Sequence, residues 1–277
     1  MSPKKQRLDK LIVDLGLCES RQTAQRYIRA GAVQVNHQVI DKPGTLVAPE
    51  LPIHLKARSP YVSRGAEKLL KALQTFPISV DNRICLDGGI STGGFTDCLL
   101  QAGAQQVYGV DVGYGQVAWK LRQDPRVVLK ERTNLRHLTP ATLYGPTAAW
   151  ATLGVMDVSF ISLTKVLPAF WELLSSPKEM VLLVKPQFEV GKDRVGKHGV
   201  VRDPDDHAQA ICQVLHGAQS LGWQYQGLTY SPISGPAGNL EYLLWCSHLP
   251  TLPPPTAEDI SATIAQTTRE AQHLLRI

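Results

Sequence analysis

The chain has 277 residues, of which 43% are hydrophobic and 19% charged, a composition typical of a soluble globular protein. Its five cysteines are scattered without the paired spacing of a zinc site or a disulfide framework. No apolar run is long enough to span a membrane, and the charged first residues are not followed by the apolar stretch of a signal peptide. We therefore expect reduced thiols, no metal, no membrane contact and a cytoplasmic monomer.

The positive charge is concentrated near the start of the chain. Residues 1–71 hold 13 Lys or Arg and 6 Asp or Glu, whereas the remaining 206 residues hold 16 and 18. A basic segment of this kind is typical of a domain that meets phosphates, although a solvated basic face has the same composition.

Residues 7–56 are predicted to form a small module of two helices and a hairpin. Apolar residues at helical spacing over 8–15 indicate the first helix. Ser20 is predicted to cap a second helix over 21–30. Alternating residues then flank Asn36, which tolerates left-handed backbone and therefore indicates a hairpin turn.

One sequence pattern covers nearly the whole of this module. It comprises Arg7-Leu8-Asp9, Gly16-Leu17, Ser20-Arg21, Ala24, Ile28, Gly31, Val33, Val35-Asn36 and Lys42-Pro43. The pattern resembles the small RNA-binding domain named after ribosomal protein S4. The resemblance implies RNA contact through the second helix and the turn after it, with the RNA-binding residues Arg7, Ser20, Arg21, Arg26, Arg29, Asn36 and Lys42.

Apolar strands alternate with helical patterns through the rest of the chain. Strands are predicted around 84–86, 107–110, 127–129, 153–156, 181–184, 228–230 and 242–245. This alternation predicts an α/β fold with a mostly parallel, Rossmann-like sheet and helices on both faces, after a small N-terminal α+β domain. The predicted boundaries are 1–57 for the first domain, 58–64 for a linker, 65–249 for the sheet domain, and 250–277 for a tail that ends in a surface helix.

The first of these strands leads into a glycine-rich loop. Asp87 ends the strand, four glycines follow within seven residues, and a helical pattern begins at Phe95. Such a turn brings backbone close to a nucleotide-like ligand. No lysine of a P-loop follows, so the loop is not a triphosphate cradle of that type.

Two polar residues on the next strands favour S-adenosylmethionine (SAM) as the ligand. Asp111 ends the second strand, where a carboxylate could accept hydrogen bonds from ribose hydroxyls, although it could also cap a turn. Asn134 follows the third strand and could contact an adenine. The predicted cofactor-binding residues are Asp87, Gly88, Gly89, Ser91, Thr92, Gly93, Gly94, Phe95, Asp111, Asn134 and Asp157.

Four charged residues lie where a reaction could take place. Lys68 is on the helix before the first strand, Asp157 and Lys185 end the fourth and fifth strands, and Glu241 begins the last one. Buried strands do not usually end in charged residues. A buried salt bridge is the alternative for any pair of them, including Lys185 with Asp157.

These four residues resemble the Lys-Asp-Lys-Glu tetrad of FtsJ-like ribose 2′-O-methyltransferases. Further motifs extend the resemblance to the TlyA family: Tyr61-Val-Ser-Arg64-Gly65, Ser91 to Thr96, Asp111 to Gln116, Glu131 to Asn134, Ser159 to Ser162, Lys185 to Glu189 and Gly235 to Asn239. The resemblance implies an S4-type domain joined to an FtsJ-like methyltransferase. It also implies SAM-dependent methylation of cytidine 2′-hydroxyls in ribosomal RNA, either free or within a ribosomal subunit.

The chemistry of this reaction suits the four residues. A ribose hydroxyl is a weak nucleophile near neutral pH and needs help to lose its proton. A lysine amine can give that help only where burial or a neighbouring cation lowers its pKa. We therefore predict that Lys185 orients or deprotonates the 2′-hydroxyl beside the cation of Lys68, while Asp157 and Glu241 orient the two amines.

A basic, glycine-rich loop over 191–202 follows the strand that ends at Lys185. We expect RNA contact there at Lys192, Arg194 and Lys197, and at Arg64 in the linker, although an ordinary surface loop is the alternative. Three other functions stay open: a pseudouridine synthase, a membrane-active haemolysin, and an RNA-binding ribosome-assembly factor without activity.

Overall fold

The computed structural model describes residues 5–55, 60–146, 148–250 and 253–275. The chain forms two compact units, and the second begins at Tyr61. Within the described residues, no helix combines the length and the apolar character needed to cross a membrane.

The first unit contains two helices and two small antiparallel sheets. Ser20 caps the second helix, because its hydroxyl accepts a hydrogen bond from the Thr23 N–H at 3.2 Å. Asn36 and His37 both have positive φ, as a tight hairpin turn requires, so the predicted cap and hairpin are confirmed. The elements are β1 (Gln6–Arg7), α1 (Leu8–Asp14), α2 (Arg21–Arg29), β2 (Val33–Val35), β3 (Gln38–Val39), β4 (Leu46–Val47) and β5 (Ile53–Leu55).

A seven-stranded sheet forms the centre of the second unit. Its strands are β6 (Ile84–Gly88), β7 (Gln106–Val110), β8 (Val127–Lys130), β9 (Leu153–Met156), β10 (Glu179–Val184), β11 (Gln224–Tyr230) and β12 (Tyr242–Ser247). They lie in the order β11-β12-β10-β9-β6-β7-β8. Of these seven strands, β12 alone is antiparallel to the other six, so the prediction of a mostly parallel sheet is confirmed.

Helices cover both faces of this sheet. Side chains alternate between faces along each strand: Cys85 packs with α3 and α4, whereas Leu86 packs with α7, α9 and α10. The predicted C-terminal helix is α10, which buries Ile264 and Ala271 in the same core as Leu86. The helices are α3 (Gly65–Thr75), α4 (Gly94–Gln101), α5 (Trp119–Arg122), α6 (Pro140–Leu143), α7 (Leu167–Leu173), α8 (Pro186–Glu189), α9 (Pro204–Gln219) and α10 (Ala257–Leu275).

The strand register brings three of the predicted catalytic residues to one edge of the sheet. Met156 pairs with Gly88 on one side and with Leu182 on the other. Val184 pairs with Tyr242 in the antiparallel ladder. The next residue beyond Val184 is Lys185 and the residue before Tyr242 is Glu241, so these two residues are neighbours.

The segment before α3 is held to the second unit. The predicted linker spans 58–64, of which 58 and 59 lie outside the described residues. Tyr61 and Val62 pack against the core around α3 and α4. The Val62 N–H donates a hydrogen bond to the buried Asp97 carboxylate at 2.7 Å, which fixes the approach to α3.

Candidate active site

Lys185 and Asp157 form an ion pair at the carboxyl edge of the sheet. The Lys185 Nζ lies 2.6 Å from the Asp157 carboxylate and 2.8 Å from the Ser159 hydroxyl oxygen. An ammonium has three N–H bonds, and these two partners account for two of them. Lys185 is 7% exposed, so its charge is held by a carboxylate in a mostly buried position.

Lys68 and Glu241 form a second, more deeply buried ion pair. The Lys68 Nζ and the Glu241 carboxylate are 2.5 Å apart, although the two residues are 173 positions apart in sequence. Their side chains are 10% and 2% exposed. A buried charge is costly unless it is paired, and each amine of the predicted tetrad has its own carboxylate. Lys185 and Asp157 therefore do form the salt bridge that is the alternative interpretation of this pair. This salt bridge is compatible with the expected arrangement, in which a carboxylate orients each amine.

Two cavities adjoin at this edge of the sheet. Their volumes are about 460 Å³ and 160 Å³, and they share Gly89, Ser91 and Asp157 in their walls. The larger one has the size of a small-molecule site and extends towards Asp111 and Asn134. Asp157 therefore lies where the two cavities meet, and its carboxylate is also the partner of Lys185.

Gly89 makes this junction possible. Its φ of +89° is strained for a residue with a side chain, and a Cβ atom there would lie 2.5 Å from the backbone oxygen of Asp157. The glycine loop can therefore lie directly against the end of β9. This close approach explains why the glycine-rich turn and Asp157 share one wall.

Asp87 lies beneath the loop and does not line either cavity. It is fully buried, and one carboxylate oxygen accepts a hydrogen bond from the Thr96 hydroxyl at 2.7 Å. Within the described residues, the other oxygen has no hydrogen-bond partner. The pKa of the Asp87 carboxyl is raised to about 7, mainly by burial and to a smaller extent by the nearby carboxylates of Asp157 and Asp111, while the Thr96 hydrogen bond opposes the rise.

Asp111 and Asn134, which are predicted to bind the cofactor, lie in the wall of the larger cavity. The two Asp111 carboxylate oxygens accept hydrogen bonds from the Ser91 N–H at 2.8 Å and the Gly113 N–H at 2.7 Å. The turn interpretation of Asp111 is therefore also correct. Each oxygen keeps further acceptor capacity. The Asn134 oxygen accepts from the Arg136 N–H, which leaves its amide nitrogen to donate.

The structure separates the predicted cofactor residues into two groups. Those in the cavity walls are Gly89, Ser91, Thr92, Gly94, Phe95, Asp111, Asn134 and Asp157. The second group, Asp87, Gly88 and Gly93, does not line either cavity. Gly88 and Gly93 have no room for a side chain, because a Cβ atom would meet Leu135 or Leu121.

Sequence analysis missed several residues of the cavity walls. Ser159 and Phe160, two and three residues after Asp157, line the larger cavity, and Ser63 lines the smaller one. Phe160 is 91% exposed, has a positive φ and lies 5.3 Å from the Phe188 ring. Ser159, Phe160 and Ser63 belong to motifs that carry the family resemblance, so their sequence proximity to Asp157 and Arg64 was the available signal.

Two of the predicted RNA-binding arginines are engaged within the first unit. Arg7 and Arg21 each lie 3.0 Å from the fully buried Asp9 carboxylate, and Gln25 donates to it at 2.8 Å. The Arg7 guanidinium holds the pKa of the Asp9 carboxyl well below its ordinary value. Asp9 is thus the central residue of this cluster. All seven predicted RNA-binding residues of this unit are exposed, including Arg7 and Arg21, and Ser20 is the helix cap described above. Arg26, Arg29, Asn36 and Lys42 lie outside the Asp9 cluster.

The basic loop over 191–202 is also partly engaged. Arg194 is bonded to Asp206 and Gln209 on α9. Lys192 and Lys197 are exposed, as is Arg64 at the start of α3. The Asn239 side chain binds the end of the loop, because it accepts from the Val201 N–H and donates to the Gly199 oxygen.

The site combines a cavity large enough for a nucleoside with an ion pair between Lys185 and Asp157, a residue of the cavity wall. The model of the FtsJ-like methyltransferase family matches residues 61–248, and that of the S4 domain matches residues 6–53. The chain belongs to the FtsJ-like methyltransferase family, with an S4 domain before the methyltransferase domain. It is therefore an enzyme, and the predicted fold class is confirmed.

Relatives of known name extend this comparison. YqxC of Bacillus subtilis (strain 168), by name an rRNA methyltransferase, is 51% identical over 88% of this chain and 86% of its own. The 16S/23S rRNA (cytidine-2′-O)-methyltransferase TlyA of Mycobacterium tuberculosis (strain CDC 1551 / Oshkosh) is 49% identical over 87% of this chain and 90% of its own. A solved structure from Streptococcus thermophilus, described as that of a hemolysin, has 39% identity and a TM-score of 0.75 and covers 99% of this chain and 98% of that one. The resemblance to the TlyA family is thereby confirmed.

Proposed function

We propose that the protein transfers the methyl group of SAM to the 2′-hydroxyl of a cytidine in ribosomal RNA. The observation that carries the proposal is the Lys185 amine, oriented by Asp157 and Ser159 where the two cavities meet. The names of the two similar rRNA methyltransferases support the choice of acceptor.

The cavity residues fit SAM. Asp111 and Asn134 would bind the ribose and the adenine in the larger cavity, and Ser91, Thr92 and Gly94 would line the methionine part in the smaller one. The Asp157 carboxylate lies between them and suits a positively charged centre. When bound, SAM supplies an electrophilic methyl group on its sulfonium.

Lys185 is proposed to act on the acceptor. Two N–H bonds of its nitrogen are directed to Asp157 and Ser159, and in the neutral amine the remaining position is a lone pair that can accept the 2′-hydroxyl proton. The hydroxyl oxygen would attack the methyl group of SAM, the bond from methyl to sulfur would break to leave the neutral thioether, and the hydroxyl proton would pass to the Lys185 amine. Asp157 and Ser159 keep the amine in place because both are fixed to the end of β9.

Lys68 and Glu241 are proposed to set the electrostatics around Lys185. Glu241 is the neighbour of Lys185 in the antiparallel ladder and neutralises Lys68. Because the two charges of this pair compensate each other, the pair places no unpaired charge in the core beside Lys185.

Exposed basic and polar residues of each unit are proposed to bind the RNA. On the first unit these are Arg26, Arg29, Asn36 and Lys42, and on the second unit they are Arg64, Lys192 and Lys197. Lysine and arginine contacts to phosphates supply affinity that falls with salt. They do not identify the target nucleotide, which is then selected at the cavity.

Methyl transfer from labelled SAM to ribosomal RNA tests the proposal. The wild-type protein is expected to label a cytidine ribose, and Lys185→Ala is expected to abolish labelling while SAM still binds by calorimetry. Lys178→Ala, which removes a lysine that packs on Trp171, is the matched control and should keep activity. Full turnover in Lys185→Ala would contradict the assigned role.

The alternative functions of a pseudouridine synthase and a membrane-active protein can be assayed with the same purified protein. Release of tritium from uridine-labelled RNA would indicate a pseudouridine synthase, and lysis of liposomes without SAM would indicate a membrane-active protein. Either result without ribose methylation would overturn the proposal.

A further inference from the structure

Glu189 is a buried carboxylate beside the active site that the proposed chemistry does not use. It is the last residue of α8, four positions after Lys185, and it is 7% exposed. Burial raises the pKa of its carboxyl, and the only groups that oppose this rise are two hydrogen-bond donors, the Leu163 N–H and the Ser162 hydroxyl. Among the described residues, the Glu189 carboxylate is therefore held by these hydrogen bonds and by no ion pair.

These two donors belong to the segment that closes the larger cavity. One Glu189 oxygen accepts from the Leu163 N–H at 2.9 Å, and the other accepts from the Ser162 hydroxyl at 2.6 Å. Ser162 also accepts from the Thr164 N–H and so caps the short 3₁₀ turn that begins at Leu163. Glu189 thus fixes the point where the segment leaves the cavity.

Residues 157–161, which we term the cavity wall, precede this point and all line the larger cavity. The Asp157 N–H donates to the Gly88 oxygen at 3.0 Å, so the wall is fixed at its start as well. Phe160, within the wall, has a φ of +64°. A non-glycine residue keeps such a conformation only where the surrounding structure holds it.

We propose that Glu189 is a positioning residue that holds the cavity wall against Lys185. Asp157 and Ser159, the two partners of the Lys185 amine, both belong to the wall. Lys185 precedes α8 and contacts the wall at Asp157 and Ser159. Glu189 ends α8 and binds Ser162 and Leu163, the two residues directly after the wall. A shift at Ser162 is thereby transmitted to the atoms that orient the amine. The role in methyl transfer rests on the proposed function.

Steady-state kinetics and SAM calorimetry on the full chain test this role. Glu189→Leu keeps the volume but leaves two buried donors without an acceptor. We expect its kcat to fall about tenfold to a hundredfold, because small displacements at a reacting centre have effects of that size. The KM for RNA should stay within about threefold, and the Kd for SAM should rise about threefold to tenfold, because the wall lines that cavity.

Two further variants separate positioning from packing. Glu189→Gln keeps one acceptor oxygen and should recover part of the kcat. Ser162→Ala removes one donor, and its effect should not add to that of Glu189→Leu, because both break the same contact. Glu172→Leu, which replaces an exposed acid on α7, is the control and should match the wild type.

Wild-type kcat and SAM affinity in a folded Glu189→Leu protein would overturn the inference, as would an equal loss in Glu172→Leu. If Glu189→Leu does not fold, Ser162→Ala decides, and wild-type values there also overturn it. The SAM measurement needs no RNA. A wild-type protein that does not methylate RNA would therefore refute the proposed function while the positioning of the wall is still measured.

Discussion

Gly89 and Asp157 are in contact through backbone atoms, so the loop after β6 and the end of β9 form one continuous surface. Gly89→Ala would place a Cβ atom 2.5 Å from the Asp157 oxygen at a φ of +89°. We expect the variant to lose SAM binding by at least about tenfold, because the loop must move away from Asp157. Calorimetric titration with SAM measures this loss. Gly115→Ala is the matched control, since its φ is +74° but no atom lies within 4 Å. Equal losses in both variants would show that strain alone is responsible.

The Lys68–Glu241 pair offers a test of stability that is separate from catalysis. Glu241→Leu leaves the Lys68 ammonium buried without a partner and should lower the free energy of unfolding by about 3 kcal/mol. Lys68→Met in the same chain removes the unpaired charge and should restore most of that loss. Denaturant unfolding of the single and double variants gives the coupling energy. All three should be inactive, and additive stability changes would contradict the buried pair.

Asp87 should make stability depend on pH. Its folded pKa of about 7 lies above the ordinary value of 3.8, so the folded protein binds a proton that the unfolded chain lacks between these values. Its contribution to stability therefore falls as the pH rises from about 4 to 7. In Asp87→Asn this loss is absent. As the pH rises through this range, the free energy of unfolding of the variant should therefore increase relative to that of the wild type, by on the order of 1 kcal/mol per pH unit.

Thermal unfolding between pH 5 and pH 8 without SAM measures this difference. Asp81→Asn, at an exposed site on the opposite edge of the sheet, is the control. A difference between Asp87→Asn and the wild type that stays constant with pH would contradict the assignment.

Arg26 and Arg21 lie on the same helix, but only Arg21 binds Asp9. Arg26→Ala should weaken RNA binding, lower the salt dependence by about one counterion and leave stability unchanged. Arg21→Ala should also destabilise the first unit, by about 1 kcal/mol, because the buried Asp9 loses a donor. Binding to an rRNA fragment at several salt concentrations, together with thermal unfolding of the full chain, distinguishes the two. An unchanged salt slope in Arg26→Ala would remove that residue from the proposed RNA surface.

The parts of the fold that depend on local pattern could be predicted from the sequence. The apolar run of β10 and the glycine loop after β6 are continuous in the chain, as are the Ser20 cap and the turn at Asn36. Each of these depends on residues within a few positions of one another. The structure confirms all four.

Pairing between distant residues could not be predicted in the same way. The sequence places Lys68 and Glu241 in one tetrad, but not in one ion pair, because the pairing depends on how α3 packs against β12. Arg7 and Arg21 are basic residues of a predicted RNA-binding domain, and only the fold shows that both bind Asp9. Glu189 lies in a recognisable motif, yet its partners come from another loop.

The reversed direction of β12 gives Glu241 a different kind of support from the other residues of the proposed catalytic tetrad. Asp157 and Lys185 come at the finish of strands, so each is carried there by the strand itself. Glu241 comes first, and its location is set by the turn from Ser231 to Asn239, where the Gly235 N–H donates to the Asn239 oxygen and the Ser231 N–H to the Glu241 oxygen. One residue inserted between Glu241 and Tyr242 would therefore move the carboxylate off Lys68 while β12 kept its place in the sheet.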